Sequence, residues 1–169
     1  LAYLCDFWVS IRTITPKNIL LLPTQPGSGL CSNIYDMQAK LTGFEDASCV
    51  GASPSTTLMP TTLYSSPEMH WSQPYAPNSD IFSIGLVMLY MAIGNDPVSV
   101  TDGYVDLESF WDGRLAFGSD EPVKIIPGYM RMDPRYATFV SLLTRCLQRK
   151  ERRLDWAEYF RHPFFRTTV

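Results

Sequence analysis

The chain has 169 residues, 46% hydrophobic and 13% aromatic, enough to bury one sizeable core and too apolar for a disordered segment. Fourteen Lys and Arg stand against seventeen Asp and Glu, and a formal charge of −3 gives no general attraction to nucleic acid or to an anionic membrane. Four cysteines, Cys5, Cys31, Cys49 and Cys146, show no Cys-x-x-Cys or Cys/His metal spacing, and the chain opens without a segment resembling a signal peptide.

In chain order, Leu1 to Leu4 read as the end of a helix, as though cut from something longer. "NILLL" (18–22) and "AKLT" (39–42) read as two short strands, each brief, apolar or alternating and bounded by turn formers. "PTQPGSGLCSN" between them is loop, and its "PGSGL" lacks the Lys and helix of a phosphate cradle. From Gly43 to Thr62, residues rich in Ser, Thr, Gly and Pro sustain no period, which predicts a long irregular segment of the kind that is usually functional or mobile.

Helices follow. Ser66-Pro67-Glu68 offers an N-cap with Pro at the first helical position. The run from Ile81 to Gly94 is apolar on every face yet shorter than the roughly 18 residues of a membrane span, so it reads as a buried central helix. Asp133-Pro134 opens another helix, with Tyr136, Phe139, Val140, Leu143 and Cys146/Leu147 on one face, and Asp155 with Glu158 forms a capping box before Pro163. The basic run Arg145, Arg149, Lys150, Arg152, Arg153 reads as a solvated helix end. His70 and His162 have no acid or serine partner in a recognisable arrangement and are assigned surface or packing roles.

The order of motifs resembles the C-terminal lobe of a eukaryotic protein kinase over nearly the whole chain. "YLCDFWVSIRTITPKNILL" is similar to the catalytic segment, "AKLTGFEDA" to the strand entering the metal-binding motif, and "TTLYSSPEM" to the end of an activation segment. "NSDIFSIGLVMLYMAIGNDP" is similar to the central buried helix, and "LLTRCLQRKERRLDWAEYFRHPFF" to the closing helices. The resemblance implies a mainly α fold, a kinase-like C-lobe with a short β-hairpin near the catalytic-loop position, becoming an α+β kinase fold if an N-lobe lies upstream. It makes residues 1–169 a single lobe that starts inside a helix with no N-lobe in this chain, and 43–68 an activation-segment-like loop.

Against the family pattern, Thr13 stands at the catalytic-base position of Ile11-Arg12-Thr13, Thr15 at the helper Lys, and Gly43 at the metal-binding Asp of Gly43-Phe44-Glu45. Glu45 stands two residues on, and Asn18 keeps the register of a metal- and nucleotide-side amide. Removing a base costs about 10²- to 10⁴-fold, and losing metal placement removes electrostatic stabilisation as well. Structural residues match: Glu68 and Arg153 correspond to the family's buried ion pair, Asp80 to its acceptor of catalytic-loop N–H groups, and Gly85 to its central-helix glycine.

These departures lead to the expectation of a pseudokinase that is not an enzyme, holds no metal, and needs no cofactor, ATP being the one candidate. It would serve as a protein-interaction, scaffolding or allosteric module for another protein, an active kinase or a host protein, with no nucleic acid and no membrane span. The contact surface would be the activation segment and residues 97–127, with Tyr104, Phe110, Trp111 and Phe117 as anchors. The alternatives are an atypical nucleotide-binding enzyme with weak phosphotransferase activity and a purely structural piece of an assembly. Gly43-Phe44-Glu45 and the changed His and Asp of the catalytic motif also resemble the secreted rhoptry-type pseudokinases of apicomplexan parasites. That likeness implies a rhoptry, parasitophorous-vacuole or host-cell location, where Cys31 and Cys49 could pair.

Overall fold

The computed structural model describes residues 9–24, 36–49, 62–70, 75–96 and 124–166. Leu1 to Leu4, Cys31 and the anchors Tyr104, Phe110, Trp111 and Phe117 lie outside them.

Two small antiparallel ladders come first. Strand β1 (Val9–Ser10) pairs with β4 (Ser48–Cys49), and β2 (Ile19–Pro23) with β3 (Met37–Leu41) in the register Ile19↔Leu41 to Pro23↔Met37. The second ladder starts one residue after the predicted 18–22, because Asn18 closes a 3₁₀ turn over Pro16–Asn18. Its partner strand begins two residues before the predicted 39–42, since Pro23 at an edge needs no N–H and lets pairing continue to Met37. The irregular reading of 43–62 missed β4, a two-residue strand too short to show a period.

Helix α1 (Pro67–His70) is a single turn. Pro67 occupies its first position, but the hydroxyl of Ser66 is buried and makes no hydrogen bond among the described residues, so Ser66 does not cap it. Helix α2 (Ser79–Ile93) crosses the core and begins two residues before the apolar run. Fifteen residues without Pro let it propagate. Gly94, at φ +75, then adopts the left-handed conformation that favours glycine, and its N–H closes on the carbonyl of Tyr90 at 2.8 Å.

Helix α3 (Gly128–Met132) and a 3₁₀ turn over Pro134–Tyr136 lead into α4 (Ala137–Cys146). Asp133 accepts from Arg135 N–H at 2.9 Å, so it caps that turn rather than the α-helix itself. Helix α5 (Trp156–Arg161) starts with a complete capping box: Asp155 Oδ1 accepts from Glu158 N–H at 2.7 Å and Glu158 Oε2 from Asp155 N–H at 3.0 Å.

The core is assembled on α2. Ile81, Phe82, Leu86 and Leu89 are fully buried with Leu142, Leu143, Leu147 and Leu154, each side chain contributing about 1.5–3 kcal/mol by burial. Helix α4 presents Val140, Leu143 and Cys146 as its spacing predicts and adds Leu142, while Tyr136 and Phe139 pack on the rim. Gly85 sets the approach of α2 to α4: a Cβ there would stand 2.9 Å from Cys146 Cβ and 3.1 Å from Leu147 Cδ2. Among the described residues no helix is long and apolar enough to cross a membrane.

Candidate functional site

The first turn of α2 carries Asp80, 1% exposed, and its carboxylate gathers the loop that precedes β2. Oδ2 accepts from Ile11 N–H at 2.8 Å and from the Ser10 hydroxyl at 3.0 Å, while Oδ1 accepts from Arg12 N–H at 2.9 Å and from the Tyr75 hydroxyl. Each bond to an ionised acceptor is worth about 1.5–3 kcal/mol, which balances the desolvation of a buried carboxylate. Arg12 lies at φ 70, in the left-handed region that side chains with a Cβ disfavour. Its guanidinium carbon lies 5.5 Å from the centroid of the Tyr75 ring.

Downstream, the loop is knitted to the segment after β3. Thr13 donates its hydroxyl to the Gly43 carbonyl at 3.1 Å, and Asn18 Nδ2 donates to the Thr13 carbonyl at 2.8 Å. The Asn18 carbonyl accepts from Thr42 N–H at 2.8 Å and from the Thr42 hydroxyl at 3.3 Å. Gly43, at φ +76, lies beneath the Asn18 amide: a Cβ added there would fall 2.4 Å from Asn18 Nδ2. Thr15 sits at the N-cap of the 3₁₀ turn in extended conformation and makes no capping bond with its side chain. Glu45 is exposed on a turn closed by Ala47 N–H on the Phe44 carbonyl at 3.0 Å.

A second ionic centre ties α1 to the segment before α5. Arg153 Nη1 meets Glu68 Oε1 at 2.6 Å and Nη2 meets Oε2 at 2.9 Å, a two-pronged pair with both side chains buried. Ser79 donates a further bond to Glu68 Oε1 at 2.5 Å, and the guanidinium also donates to the carbonyls of Gln148 and Asn78. Phe82 lies under it, its ring centroid 5.0 Å from the guanidinium carbon. Burial pushes the Glu68 carboxyl up, but the hydrogen bonds and charge of Arg153 outweigh it and bring it down to about 2.

The basic run does not behave as one solvated end, for Arg153 is buried and Arg145 pairs with Glu158 at 3.0 Å. His162 packs inside, its Nδ1 accepting from Phe164 N–H and its Nε2 lying 3.3 Å from the Ser141 hydroxyl. Burial, with the charge of Arg145, lowers its pKa. Cys49 is an exposed free thiol, while burial pushes the Cys146 thiol up to about 12. The Tyr75 and Ser10 bonds to Asp80 escaped sequence reasoning. The only signal for Tyr75 was a tyrosine five residues before a helix-start Asp.

Residues 1–165 match the family model of the protein kinase domain. The chain belongs to the protein kinase domain family. It is 32% identical over 155 residues to the mitogen-activated protein kinase kinase SIPKK of Nicotiana tabacum, covering 88% of this chain and 40% of that protein. It is 28% identical over 155 residues to the serine/threonine-protein kinase ULK1 of Homo sapiens, covering 90% of this chain and 13% of that protein. To the MAP kinase kinase MKK1/SSP32 of Saccharomyces cerevisiae it is 36% identical over 99 residues, covering 59% of this chain and 17% of that protein.

The expectation that the chain is not an enzyme is therefore corrected: the family match and relatives named as kinases point to an enzyme. Thr13 and Gly43 do not by themselves decide activity. Phosphoryl transfer draws mainly on positioning and electrostatics, and a side chain that takes a proton is one contribution among several.

Among the described residues, Gly43 supplies no side-chain ligand for the magnesium that the family's chemistry employs. The Asn18 amide fills the space over Gly43 where a carboxylate side chain would begin, and the described residues contain no group of three His, Cys, Asp or Glu placed to hold a metal ion.

Proposed function

We propose that this chain is the C-lobe of a protein kinase and supports slow transfer of a phosphoryl group from ATP to a serine or threonine hydroxyl of another protein. The observation that carries the reading is the Asp80 carboxylate, which takes the Ile11 and Arg12 N–H groups and fixes the 11–18 loop against a buried helix. A loop held this way presents Asn18 Oδ1 and the Thr13 hydroxyl in fixed positions, which suits catalysis by orientation more than by proton abstraction. Thr13 is neutral near pH 7, so the acceptor hydroxyl's proton leaves to solvent or to the phosphoryl group itself. The acceptor class is taken from the relative named a serine/threonine-protein kinase.

The same reading has the protein substrate or partner engage the 43–68 segment, whose end is anchored by Glu68. A test uses the full-length protein containing this chain, with ATP labelled in its γ-phosphate and a generic Ser/Thr-rich protein, with and without magnesium. Slow label transfer that falls in an Asn18→Ala variant of unchanged unfolding temperature is the expected result. Absence of transfer together with absence of any ATP-dependent thermal shift would remove the proposal.

A further inference from the structure

We propose that Tyr75 is a positioning residue for the 11–18 loop, its hydroxyl and its ring acting together to hold Arg12 in the left-handed backbone conformation that delivers Thr13 to Gly43 and Asn18. This inference rests on the phosphotransfer reading above for its kinetic consequence only.

Arg12 is the one residue other than glycine with positive φ among the described residues, so something must hold it there. Asp80 Oδ1 takes the Arg12 N–H directly, and two contacts from Tyr75 reinforce that hold. The Tyr75 hydroxyl donates to Asp80 Oδ1, the oxygen that takes the Arg12 N–H, and so fixes the rotation of the carboxylate that receives the loop. The Tyr75 ring faces the Arg12 guanidinium at 5.5 Å, within reach of a cation–π attraction.

The two contacts reinforce each other. A phenol that donates its proton toward a carboxylate gains electron density over its ring, and the ring face then attracts the guanidinium more strongly. Among the described residues Arg12 Nε is buried without a hydrogen-bond partner, and the ring face packs against this guanidinium. Ser10 joins the cluster by donating to Oδ2, next to the Ile11 N–H. Arg12 is followed at once by Thr13, whose carbonyl and hydroxyl bind Asn18 and Gly43, so release of the Arg12 backbone displaces both contacts.

The experiment compares the full-length wild type with Tyr75→Phe, Tyr75→Leu and Ser10→Ala, reading amide hydrogen exchange at Ile11 and Arg12 by NMR alongside the kinetics of transfer. Tyr75→Phe keeps the ring and the packing and removes the hydroxyl alone, whereas Tyr75→Leu removes the ring as well. Its expected signature is about tenfold faster exchange at Arg12, the loss of one charge-assisted hydrogen bond, with exchange in α2 unchanged. It should also lower kcat with KM for ATP unchanged, and Ser10→Ala should act chiefly at Ile11. Arg12 exchange within twofold of wild type in Tyr75→Phe would overturn the proposal, as would faster exchange with kcat unaltered. If the wild type transfers no phosphate, the functional reading fails while the exchange arm still decides whether Tyr75 holds the loop.

Discussion

The helical frame and the loop it carries are built on different terms. In the frame, Glu68 and Arg153 meet through two short bonds within a buried shell of carbonyls, Ser79 and the Phe82 ring, and Gly85 lets α2 press onto α4. The loop has a left-handed arginine, an amide seated over a glycine and hydroxyls that bond to carbonyls. Its polar attachment to the frame is Asp80, and Ile11 and Ile14 anchor it in the shared core. The frame is thus held by an ion pair whose disruption would strand a charge, the loop by hydroxyl, amide and backbone contacts around one carboxylate.

The comparison is broken most severely at the ion pair. Arg153→Leu leaves Glu68 buried and uncompensated and should cost about 3–5 kcal/mol, read as a fall in the denaturant midpoint at unchanged slope. An equal effect from Thr13→Ala would erase the distinction between frame and loop.

Acid probes the same pair without mutation. Because the Glu68 carboxyl is held down at about 2 in the folded chain, its stabilisation is complete above the ordinary glutamate value. It is lost as pH falls from about 4.5 towards 2, and by linkage it amounts to about 3 kcal/mol. Denaturant titrations across that window should show the loss in wild type and a much flatter profile in Glu68→Gln.

Smaller effects sharpen the picture. Gly85→Ala forces a Cβ to 2.9 Å from Cys146 Cβ and should cost about 1–3 kcal/mol through separation of α2 from α4. A stabilising result would mean that the helices approach less closely than described. Ser66→Ala removes a buried hydroxyl that lacks a hydrogen bond among the described residues and should be neutral or stabilising by up to about 1 kcal/mol in thermal unfolding.

The frame was far more legible in the sequence than the site. Asp155 and Glu158, three residues apart, announce a capping box because local spacing dictates it, and the apolar face of α4 follows from its period. Glu68 and Arg153 are 85 residues apart and could be named as a pair only through resemblance to a family. Nothing in the sequence tells that Tyr75 and Ser10 converge on Asp80, or that Asn18 leans over Gly43, because hydroxyl and amide contacts have no periodic signature. The sequence also made Thr13 and Gly43 look decisive for activity, while the backbone N–H and carbonyl contacts that hold the loop have no signature in it.

The most direct test is single-turnover phosphoryl transfer by the full-length protein, wild type against Asp80→Asn, which keeps the side chain's shape but turns one acceptor into a donor. The account predicts measurable transfer by the wild type and a fall of about 100-fold in the variant, as expected when a reacting loop shifts by about 1 Å, at temperatures where both proteins remain folded. Transfer that survives Asp80→Asn unchanged would contradict it.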